Sequence, residues 1–196
     1  MKSANEFKEE AGKEVEDPDD AVARIWTVGH STRSSQEFNE ILLEHRIDVL
    51  VDVRSFPGSR RYPHFNKSEL SHTLEAIGIL YYHSPQLGGR RRPSPHSRNM
   101  AWKNPSFRAY ADHIESDQFK EGMENLIALT GEKRAVIMCA EALWWRCHRS
   151  LIADFLKANG VQVIHIIDAK HTEAHPYTTA ARIIDGRLSY EGLLAG

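Results

Sequence analysis

The feature that most constrains the fold is a repeated pattern in which a short apolar run is followed by a polar turn and an amphipathic segment. The apolar runs are predicted strands, and they cover residues 24–28, 48–53, 79–82, 135–138 and 161–167. The amphipathic segments predict helices over residues 36–45, 67–76, 106–116, 117–129 and 147–158. Strands that alternate with helices pair in parallel through crossover connections. The sequence therefore predicts an α/β fold with three layers, a mainly parallel five-stranded sheet with helices on both faces.

The two ends of the chain depart from this pattern. Residues 1–22 are polar and acidic and show no apolar periodicity, which predicts a disordered acidic leader. The remaining residues, 23–196, are predicted to form a single α/β domain, because a chain of 196 residues matches the length of one domain. Near the C-terminus we predict a short helix over residues 179–183 and a turn at Asp185 and Gly186.

Composition limits the cellular setting of the protein. The chain contains two cysteines, Cys139 and Cys147, which are too few for the disulfide framework of a small secreted protein. The N-terminal segment lacks the apolar stretch of a signal peptide, and no run approaches the roughly 18 apolar residues that span a membrane. The sequence therefore predicts a cytoplasmic protein that binds no membrane, and it leaves the oligomeric state open.

Charge is distributed unevenly along the chain. Residues 1–20 carry a net charge of −5, whereas residues 53–108 contain ten basic and two acidic residues, a net charge of +8. The basic residues lie in loops rich in glycine and proline, which is where binding sites usually occur. This distribution favours a local anion-binding surface. The alternative is a set of solvated loop arginines without a ligand.

Polar side chains that are able to carry chemistry follow every predicted strand. In parallel sheets, ligands bind outside the carboxyl ends of the strands, so these residues are predicted to share one cleft. Asp168 and His171 follow the fifth strand. The predicted site consists of His30, Ser31, Asp52, Arg54, Arg60, Arg61, Tyr62, Gly88, Gly89, Arg90, Glu141, Trp145, Cys147, His148 and Arg149.

Four of these residues are candidates for acid–base catalysis. Glu141 and Asp52 lie at or just beyond the end of a buried strand, and a carboxylate in that position is able to activate water or stabilise positive charge on a substrate. His30 and His148 are predicted to transfer protons or to orient the substrate. For Glu141 the alternative is a structural salt bridge with a nearby arginine.

The cysteines are candidates for nucleophilic catalysis. Cys147 is predicted to lie in the first turn of the fifth helix, where the helix N-terminus and a neighbouring histidine lower the pKa of a thiol. Cys139 ends the fourth strand, and its alternative is a small core residue. A thiol-dependent enzyme that uses Cys147 or Cys139 is therefore one possible function of the chain.

The remaining residues of the predicted site are candidates for binding a phosphate-bearing ligand. Aromatic side chains interleave with arginines along the basic loops. Bases stack on aromatic rings while arginines pair with phosphates, so this mixture favours a nucleotide or a nucleic acid. Trp145 is predicted to flank a base that is held out of its stack. The predicted substrate-binding residues are Ser31, Arg54, Arg60, Arg61, Tyr62, Gly88, Gly89, Arg90, Trp145 and Arg149.

Several familiar motifs are absent from the sequence. The spacing C-x-E-x5-C-H is not that of a zinc knuckle and no CxxC pair occurs, so no metal is predicted. Gly88 and Gly89 stand outside any P-loop or dinucleotide-binding fingerprint, and no cofactor is predicted. Rhodaneses and cysteine phosphatases place an arginine at a fixed spacing after the cysteine, and Arg146 lies one position too far from Cys139 for that pattern.

The chain also carries ordered motifs that resemble those of a known family. They are VGHS, DVRSFPGSRRYPHF, LGG followed by arginine, MCAE followed by CHR, and a late HP before GRLSY. In this order they resemble the domain of unknown function 488 family over about residues 25–191. The resemblance implies a compact α/β domain of bacterial or archaeal type. The name of that family carries no activity, so the resemblance implies no reaction.

Three functions are consistent with these patterns. The first is an enzyme that acts on a nucleic acid or a nucleotide with hydrolase or glycosidase-like chemistry, such as cleavage of an N-glycosidic bond. The second is a non-catalytic module that binds a nucleic acid or a nucleotide. The third is the thiol-dependent enzyme described above.

Overall fold

A six-stranded sheet lies at the centre of the structure. The computed structural model describes residues 23–131 and 133–192, so the predicted acidic leader lies outside the described residues. The strands are β1 (Arg24–Gly29), β2 (Val49–Asp52), β3 (Leu80–His83), β4 (Ala135–Cys139), β5 (Gln162–Ile166) and β6 (Thr172–Ala174). Their order is β3-β2-β4-β1-β5-β6, with β1 to β5 parallel and β6 antiparallel to β5. The predicted mainly parallel α/β sheet is confirmed, and β6 adds an edge strand that the sequence did not predict.

Five α-helices within the described residues cover the sheet. They are α1 (Ser35–Glu44), α2 (Lys67–Glu75), α3 (Pro105–Ile114), α4 (Asp117–Thr130) and α5 (Arg149–Ala158). A capping box begins α1, since the Ser34 side chain accepts from the Glu37 amide while the Glu37 carboxylate accepts from the Ser34 amide. Asn104 and Ser116 cap α3 and α4 in the same way, through a side-chain oxygen that accepts from a free amide.

The apolar side chains of each strand alternate between the two faces of the sheet, which gives three layers. In β4, Ala135, Ile137 and Cys139 belong to one apolar cluster, and Val136 and Met138 belong to the other. Successive side chains of a strand point to opposite faces, so a strand buried on both faces is apolar throughout. The five buried residues of β4 show this directly.

The helices divide between the two faces. Tyr110 of α3, Phe119 of α4 and Leu151 of α5 pack in the first cluster. Phe38 of α1 and Leu70 of α2 pack in the second cluster. Full burial of a large apolar side chain contributes about 1.5–3 kcal/mol each, so these contacts hold both helical layers against the sheet. Helices therefore cover both faces, as predicted.

The strands β1, β4 and β2 are neighbours and end at the same level in the middle of the sheet. Gly29 pairs with Cys139, and Asp52 pairs with Met138. The ladder continues past the strands, because the His30 amide donates to the Cys139 carbonyl at 3.0 Å. The residues that follow these three strands are consequently brought side by side.

The C-terminal segment forms a hairpin and not the predicted helix. Its strands are β7 (Arg182–Ile184) and β8 (Arg187–Ser189), which pair in antiparallel fashion. Asp185 and Gly186 form the turn with φ values of 50° and 75°. Two successive residues with positive φ give the turn that best matches the twist of a hairpin, and it requires extended chain on both sides. The predicted turn is confirmed, and the helix predicted over residues 179–183 is wrong.

No helix in the part of the chain that the structure describes is long and apolar enough to cross a membrane.

Candidate functional site

A cavity of about 900 Å³ opens at the carboxyl ends of β1, β2 and β4. Its position agrees with the general rule that ligands of parallel α/β sheets bind beyond the carboxyl ends of the strands. Segments after β1, β2, β3 and β4 and the N-terminal end of α3 line it, at residues 30–32, 54–62, 89–90, 139–148 and 104–107. The segment after β5 does not contribute, since Asp168 and His171 pair with each other at 2.8 Å on an exposed surface.

The structure brings most of the predicted site residues to this cavity, although their roles stay predictions. The cavity is lined by His30, Ser31, Arg54, Arg61, Tyr62, Gly89, Arg90, Glu141, Cys147 and His148. The predicted residues that do not line it are Asp52, Arg60, Gly88, Trp145 and Arg149.

Asp52 is fully buried and holds Arg54 in place. Its carboxylate accepts from the Arg54 guanidinium at 2.8 and 2.5 Å and from the Arg54 amide at 3.1 Å. The Tyr81 hydroxyl donates to the same carboxylate at 2.8 Å. Burial lowers the pKa of Arg54, but the bonds to Asp52 more than offset this effect and raise it above its ordinary value. Asp52 therefore positions Arg54, and its oxygens are engaged away from the cavity.

His30 is held as a neutral imidazole that orients Arg54. Its Nδ1 lies 3.0 Å from the Ser31 carbonyl oxygen, and its Nε2 lies 3.3 Å from Nη1 of Arg54. Because a carbonyl only accepts and a guanidinium only donates, Nδ1 carries the proton and Nε2 accepts. The ring stacks on Phe65 with centroids 4.1 Å apart. Burial, followed by the charge of Arg54, lowers the pKa of His30 to about 4, so the geometry favours a positioning role over proton transfer.

Glu141 is the only carboxylate among the described residues that line the cavity, and four arginines line the same cavity. It lies two residues beyond β4 and its side chain is exposed. Gly29 allows this segment to approach β1 closely, because a Cβ at Gly29 would lie only 1.9 Å from the Glu141 carbonyl oxygen. The glycine at the end of β1 is thus required for the position of Glu141.

Arg149 is buried beneath the cavity and supports the segment that carries Glu141. Its Nη2 donates to the backbone carbonyls of Glu141 and Ala142, and its Nη1 donates to the Thr27 hydroxyl at 3.2 Å. Only 1% of the residue is exposed. The predicted phosphate contact by Arg149 therefore finds no support in the structure, since its guanidinium is used for backbone carbonyls.

Basic and aromatic side chains line the outer part of the cavity. The Arg90 guanidinium lies 5.6 Å from the centre of the Phe56 ring, and the Arg61 guanidinium lies 5.4 Å from the centre of the Tyr62 ring. Phe56 is 71% exposed, which is unusual for a phenylalanine and leaves one face available for stacking. Arg146 adds a fourth arginine to this lining, beside Arg54, Arg61 and Arg90.

Two cysteines and a histidine meet in the cavity wall, and we name them the Cys–His cluster: Cys139, Cys147 and His148. His148 Nδ1 lies 3.5 Å from Cys147 Sγ and 3.9 Å from Cys139 Sγ. His148 Nε2 lies 3.1 Å from the Val53 carbonyl oxygen. A carbonyl accepts only, so Nε2 carries the proton and Nδ1 directs its lone pair toward the sulfurs.

The two thiols of the Cys–His cluster are electrostatically unlike. Burial raises the pKa of Cys147, but a hydrogen bond with Cys139 and the contact with His148 outweigh it and hold the pKa well below the usual range. The same hydrogen bond, followed by burial, raises the pKa of Cys139 well above the usual range. Cys147 is therefore the more acidic thiol of the pair.

The location of Cys147 differs from the prediction. Helix α5 begins at Arg149, with His148 as its N-cap, so Cys147 lies before the helix and not in its first turn. A short 3₁₀ helix over Trp144–Arg146 returns the chain toward β4 before α5 begins. Neighbouring side chains lower the thiol pKa, with Cys139 first and His148 second.

Sequence reasoning missed several residues of the cavity. Phe56 and Arg146 lie inside the same motifs as predicted residues, and that proximity is the signal that was available. Cys139, a predicted nucleophile with a core residue as the alternative, is 8% exposed where it meets the cavity. The residues at the N-terminal end of α3 carry no such signal in the sequence, and they are Asn104, Ser106 and Phe107.

The chain is similar to a described protein family. Residues 34–156 match the model of a family described as domain of unknown function DUF488. The chain belongs to this family. The matched range contains β2 to β4 and most of the cavity wall, and it confirms the resemblance inferred from the motifs. No curated protein and no solved structure matches the chain.

Proposed function

We propose that this DUF488 protein is a hydrolase that acts on a nucleotide or a nucleic acid, and that Glu141 is its catalytic acid–base residue. The observation that supports this most directly is the composition of the cavity, where one carboxylate is surrounded by four arginines and several aromatic rings. The net positive charge of these side chains attracts a phosphate-bearing substrate. The single carboxylate is able to activate water.

Phosphate recognition falls to the arginines that are not engaged elsewhere in the cavity wall. Arg54 is committed to Asp52 and to the Phe65 carbonyl. Arg61, Arg90 and Arg146 line the cavity without an ion pair to a described carboxylate. A guanidinium binds phosphate oxygens through two parallel donors, which suits a substrate with one or more phosphates.

Recognition of a base falls to the aromatic rings around the opening. Phe56 and Tyr62 stand beside Arg90 and Arg61, and Phe107 lies in the wall provided by the first turn of α3. A base that stacks on an aromatic ring gains about 1–3 kcal/mol without sequence preference. The combination supports a nucleotide or a single-stranded segment over inorganic phosphate alone.

Hydrolysis requires a group that removes a proton from water and then returns it to the leaving group. Glu141 is placed to do this, because it is exposed to the cavity and its carboxylate is not bonded to a described side chain. Cleavage of an N-glycosidic bond develops positive charge on the sugar, which a carboxylate also stabilises. The Asp52–Arg54–His30 set then keeps the adjacent wall rigid.

The test compares Glu141→Gln with Glu44→Gln, an exposed glutamate of α1 that does not line the cavity. General acid–base groups contribute about 10²–10⁴-fold to a rate. Turnover of nucleoside and oligonucleotide substrates should fall by that factor in Glu141→Gln, while binding to a labelled oligonucleotide should remain. Equal turnover in both variants would refute the role of Glu141, and binding without any turnover would indicate a non-catalytic module.

A thiol-dependent enzyme is a second candidate, and the contact between His148 Nδ1 and Cys147 Sγ at 3.5 Å favours it. Paired cysteine and histidine side chains are a common form of activated nucleophile. Alkylation of the reduced protein at neutral pH, followed by mass mapping, would identify Cys147 as the modified residue. An unmodified Cys147 under conditions that label a small-molecule thiol would reject this candidate.

The proposed setting is the cytoplasm of a bacterial or archaeal cell. Both cysteines are free and buried, which fits a reducing compartment.

A further inference from the structure

We propose that Cys139, Cys147 and His148 bind a zinc ion. The three side chains come from two different stretches of chain, the end of β4 and the segment just before α5. Their donor atoms, two sulfurs and one ring nitrogen, all lie within 4.8 Å of one another. The binding site follows from this geometry alone, whereas its use in catalysis rests on the proposed function.

The sulfur–nitrogen distances in the Cys–His cluster match those around a tetrahedral zinc ion. With Zn–S bonds of about 2.3 Å and Zn–N bonds of about 2.0 Å, tetrahedral angles place sulfur and nitrogen about 3.5 Å apart. The two sulfur–nitrogen distances in the Cys–His cluster are 3.5 and 3.9 Å. The nitrogen therefore needs to move by only a few tenths of an ångström relative to each sulfur to reach these distances.

His148 is oriented as metal-binding histidines are. Its Nε2–H donates to the Val53 carbonyl at 3.1 Å, which directs the lone pair of Nδ1 toward both sulfurs. A histidine ligand almost always donates its second ring N–H to a carbonyl or a carboxylate, and this bond fixes both the tautomer and the ring orientation. Val53 is fully buried at the end of β2, so the carbonyl is held rigidly.

Hydrogen bonds alone leave part of the bonding capacity of the two sulfurs and of His148 Nδ1 unused. Nδ1 of His148 has one lone pair, so it accepts from one thiol only, yet two sulfurs lie within 3.9 Å of it. The other thiol then has only a sulfur atom as its acceptor, and sulfur accepts hydrogen bonds weakly. An ion that accepts one lone pair from each of the three atoms accounts for their convergence, and two thiolates with one imidazole are the donors that select zinc.

The position of the Cys–His cluster leaves room for a fourth ligand. Cys139, Cys147 and His148 all line the cavity, so a tetrahedral ion held by them would direct its remaining position into that space. Catalytic zinc sites have three protein ligands and one open position, whereas structural sites are closed by four. Gly89 contributes to this arrangement, because a Cβ there would lie 2.4 Å from His148 Nδ1.

An ion in this site would supply hydroxide for the proposed hydrolysis, with Glu141 in the same cavity as the proton carrier. Bound water transfers a proton to Glu141, and the hydroxide forms a bond to the substrate carbon. The carbon–nitrogen bond then breaks, and the leaving nitrogen receives the proton from Glu141. Zinc deaminases divide these roles in the same way, because the zinc activates the water and a glutamate that is not a zinc ligand transfers the proton.

The test is zinc binding by the full-length, reduced protein. Competition with a chromophoric chelator should give one zinc per chain, and cobalt should produce cysteinate charge-transfer absorption. Loss of an outer partner of a ligand already weakens metal binding by about 10- to 100-fold. Cys139→Ser, Cys147→Ser and His148→Gln should therefore each weaken zinc binding by more than about 100-fold. The exposed His96→Gln variant should bind zinc as the wild type does.

Several results would overturn the site. A folded, reduced wild-type protein that takes up no stoichiometric zinc would do so, as would a cobalt spectrum without cysteinate absorption. Ligand variants that keep full zinc affinity would also do so. If a cysteine variant does not fold, the wild-type zinc titration and cobalt spectrum still decide the question.

The result also separates this inference from the proposed function. Stoichiometric zinc in a protein that hydrolyses no nucleotide substrate supports the metal site and rejects the reaction. Hydrolysis by metal-free protein rejects a catalytic role of the zinc and keeps the reaction, and the zinc titration alone then decides whether the metal site exists. Glu141→Gln should retain zinc while it loses turnover, because Glu141 is not among the proposed ligands.

Discussion

Two of the groups of polar side chains with histidines among the described residues differ in how completely their hydrogen bonds are used. The first is the Cys–His cluster in the cavity wall. The second, which we call the sealed network, consists of Thr27, His165, His175, Asp154 and Tyr190 and lies in the protein interior. Arg149 connects the sealed network to the segment that carries Glu141, since it donates to the Thr27 hydroxyl and to the Glu141 carbonyl.

Every group of the sealed network has a hydrogen-bond partner, and the donors and acceptors follow one direction along the chain of bonds. Thr27 bonds to His165 at 2.7 Å, His165 to His175 at 2.9 Å, and His175 to Asp154 at 3.0 Å. Because Asp154 only accepts, the His175 Nε2–H donates to it, and each preceding group donates to the next. Tyr190 also donates to Asp154, at 2.9 Å. A network satisfied in this way stabilises one packing arrangement and has no group left for a ligand.

The Cys–His cluster is different, because its donor atoms converge on one point and that point borders a cavity. The buried His165 and His175 and the half-buried His148 thus have opposite meanings in one protein. The difference teaches that burial of a histidine is not a functional signal by itself. What matters is whether its second nitrogen is directed at a protein partner or at a shared point where a ligand is able to bind.

The largest expected effect comes from removing the acceptor of the sealed network. Asp154 is fully buried and also accepts from the Thr178 amide and hydroxyl at 2.9 and 2.6 Å. Asp154→Ala leaves these donors without an acceptor, so the free energy of unfolding should fall by about 3–5 kcal/mol in urea titrations. Glu141→Ala removes an exposed carboxylate and should change it by no more than about 0.5 kcal/mol. Similar losses in both variants would contradict the distinction between the two regions.

The next effect comes from crowding the Cys–His cluster. In Gly89→Ala the new Cβ would lie 2.4 Å from Nδ1 and 2.7 Å from Cγ of His148, so the ring must move. Overpacking of this kind costs about 1–3 kcal/mol of unfolding free energy, and zinc affinity should fall with it. Gly58→Ala is the matched control, because that Cβ meets nothing closer than 4.0 Å. Equal zinc affinities in the two variants would count against the close packing of Gly89 on His148.

A third effect distinguishes the two regions by the pH dependence of the free energy of unfolding. Burial, followed by the charges of His175 and Arg149, lowers the pKa of His165 to about 2. The unfolded chain binds a proton at His165 near pH 6.5, so below that pH unfolding takes up a proton and stability falls. This residue should contribute a slope of about 1.4 kcal/mol per pH unit between pH 6 and pH 4.

The measurement is the free energy of unfolding of wild type and His165→Gln as a function of pH. The slope of the variant should be smaller by about 1.4 kcal/mol per unit below pH 6. At pH 8, above both pKa values of His165, the difference between the proteins reports only packing and hydrogen bonds. Parallel curves at low pH would show that His165 is not held neutral in the folded protein.

The smallest effect concerns the rim of the cavity. Each phosphate contact contributes about 0.7–0.9 to the slope of log affinity against log salt. Arg90→Gln should therefore reduce that slope by about 0.7–0.9 for a labelled oligonucleotide, measured by fluorescence anisotropy. Arg92→Gln changes a neighbouring exposed arginine that does not line the cavity, and it should leave the slope unchanged. A slope that responds equally to both substitutions would place the phosphates outside the cavity.

Much of the fold follows from the sequence because the central strands are apolar on both faces. β1, β2, β4 and β5 were predicted within one or two residues for this reason. The edge strand β6 gives no such signal, since Thr172, Glu173 and Ala174 are all exposed. The hairpin over β7 and β8 was missed because Ala180, Ala181 and Ile183 have a helical spacing that the turn at Asp185 overrides.

The sequence predicts the site residues that directly follow a strand. It does not predict those whose position depends on how the chain folds back between two elements. His30, Arg54 and Glu141 follow strands, so the parallel sheet brings them together. The convergence of Cys139 and Cys147 depends on the 3₁₀ helix between them, and no spacing rule encodes that path. The burial of Arg149 is equally invisible in the sequence, because it depends on carbonyl groups that only the folded segment presents.

The ends of β1, β2 and β4 and the loops around them play separable parts. His30, Arg54 and Cys139 are fixed by the three adjacent interior strands, whereas Arg61 and Arg90 come from surface loops. Members of a family built in this way are free to change loop sequence, and with it the substrate, while the reactive centre stays constant. Exchange of residues 55–62 between relatives should therefore transfer the preference for the proposed substrate without loss of the proposed zinc site or the fold.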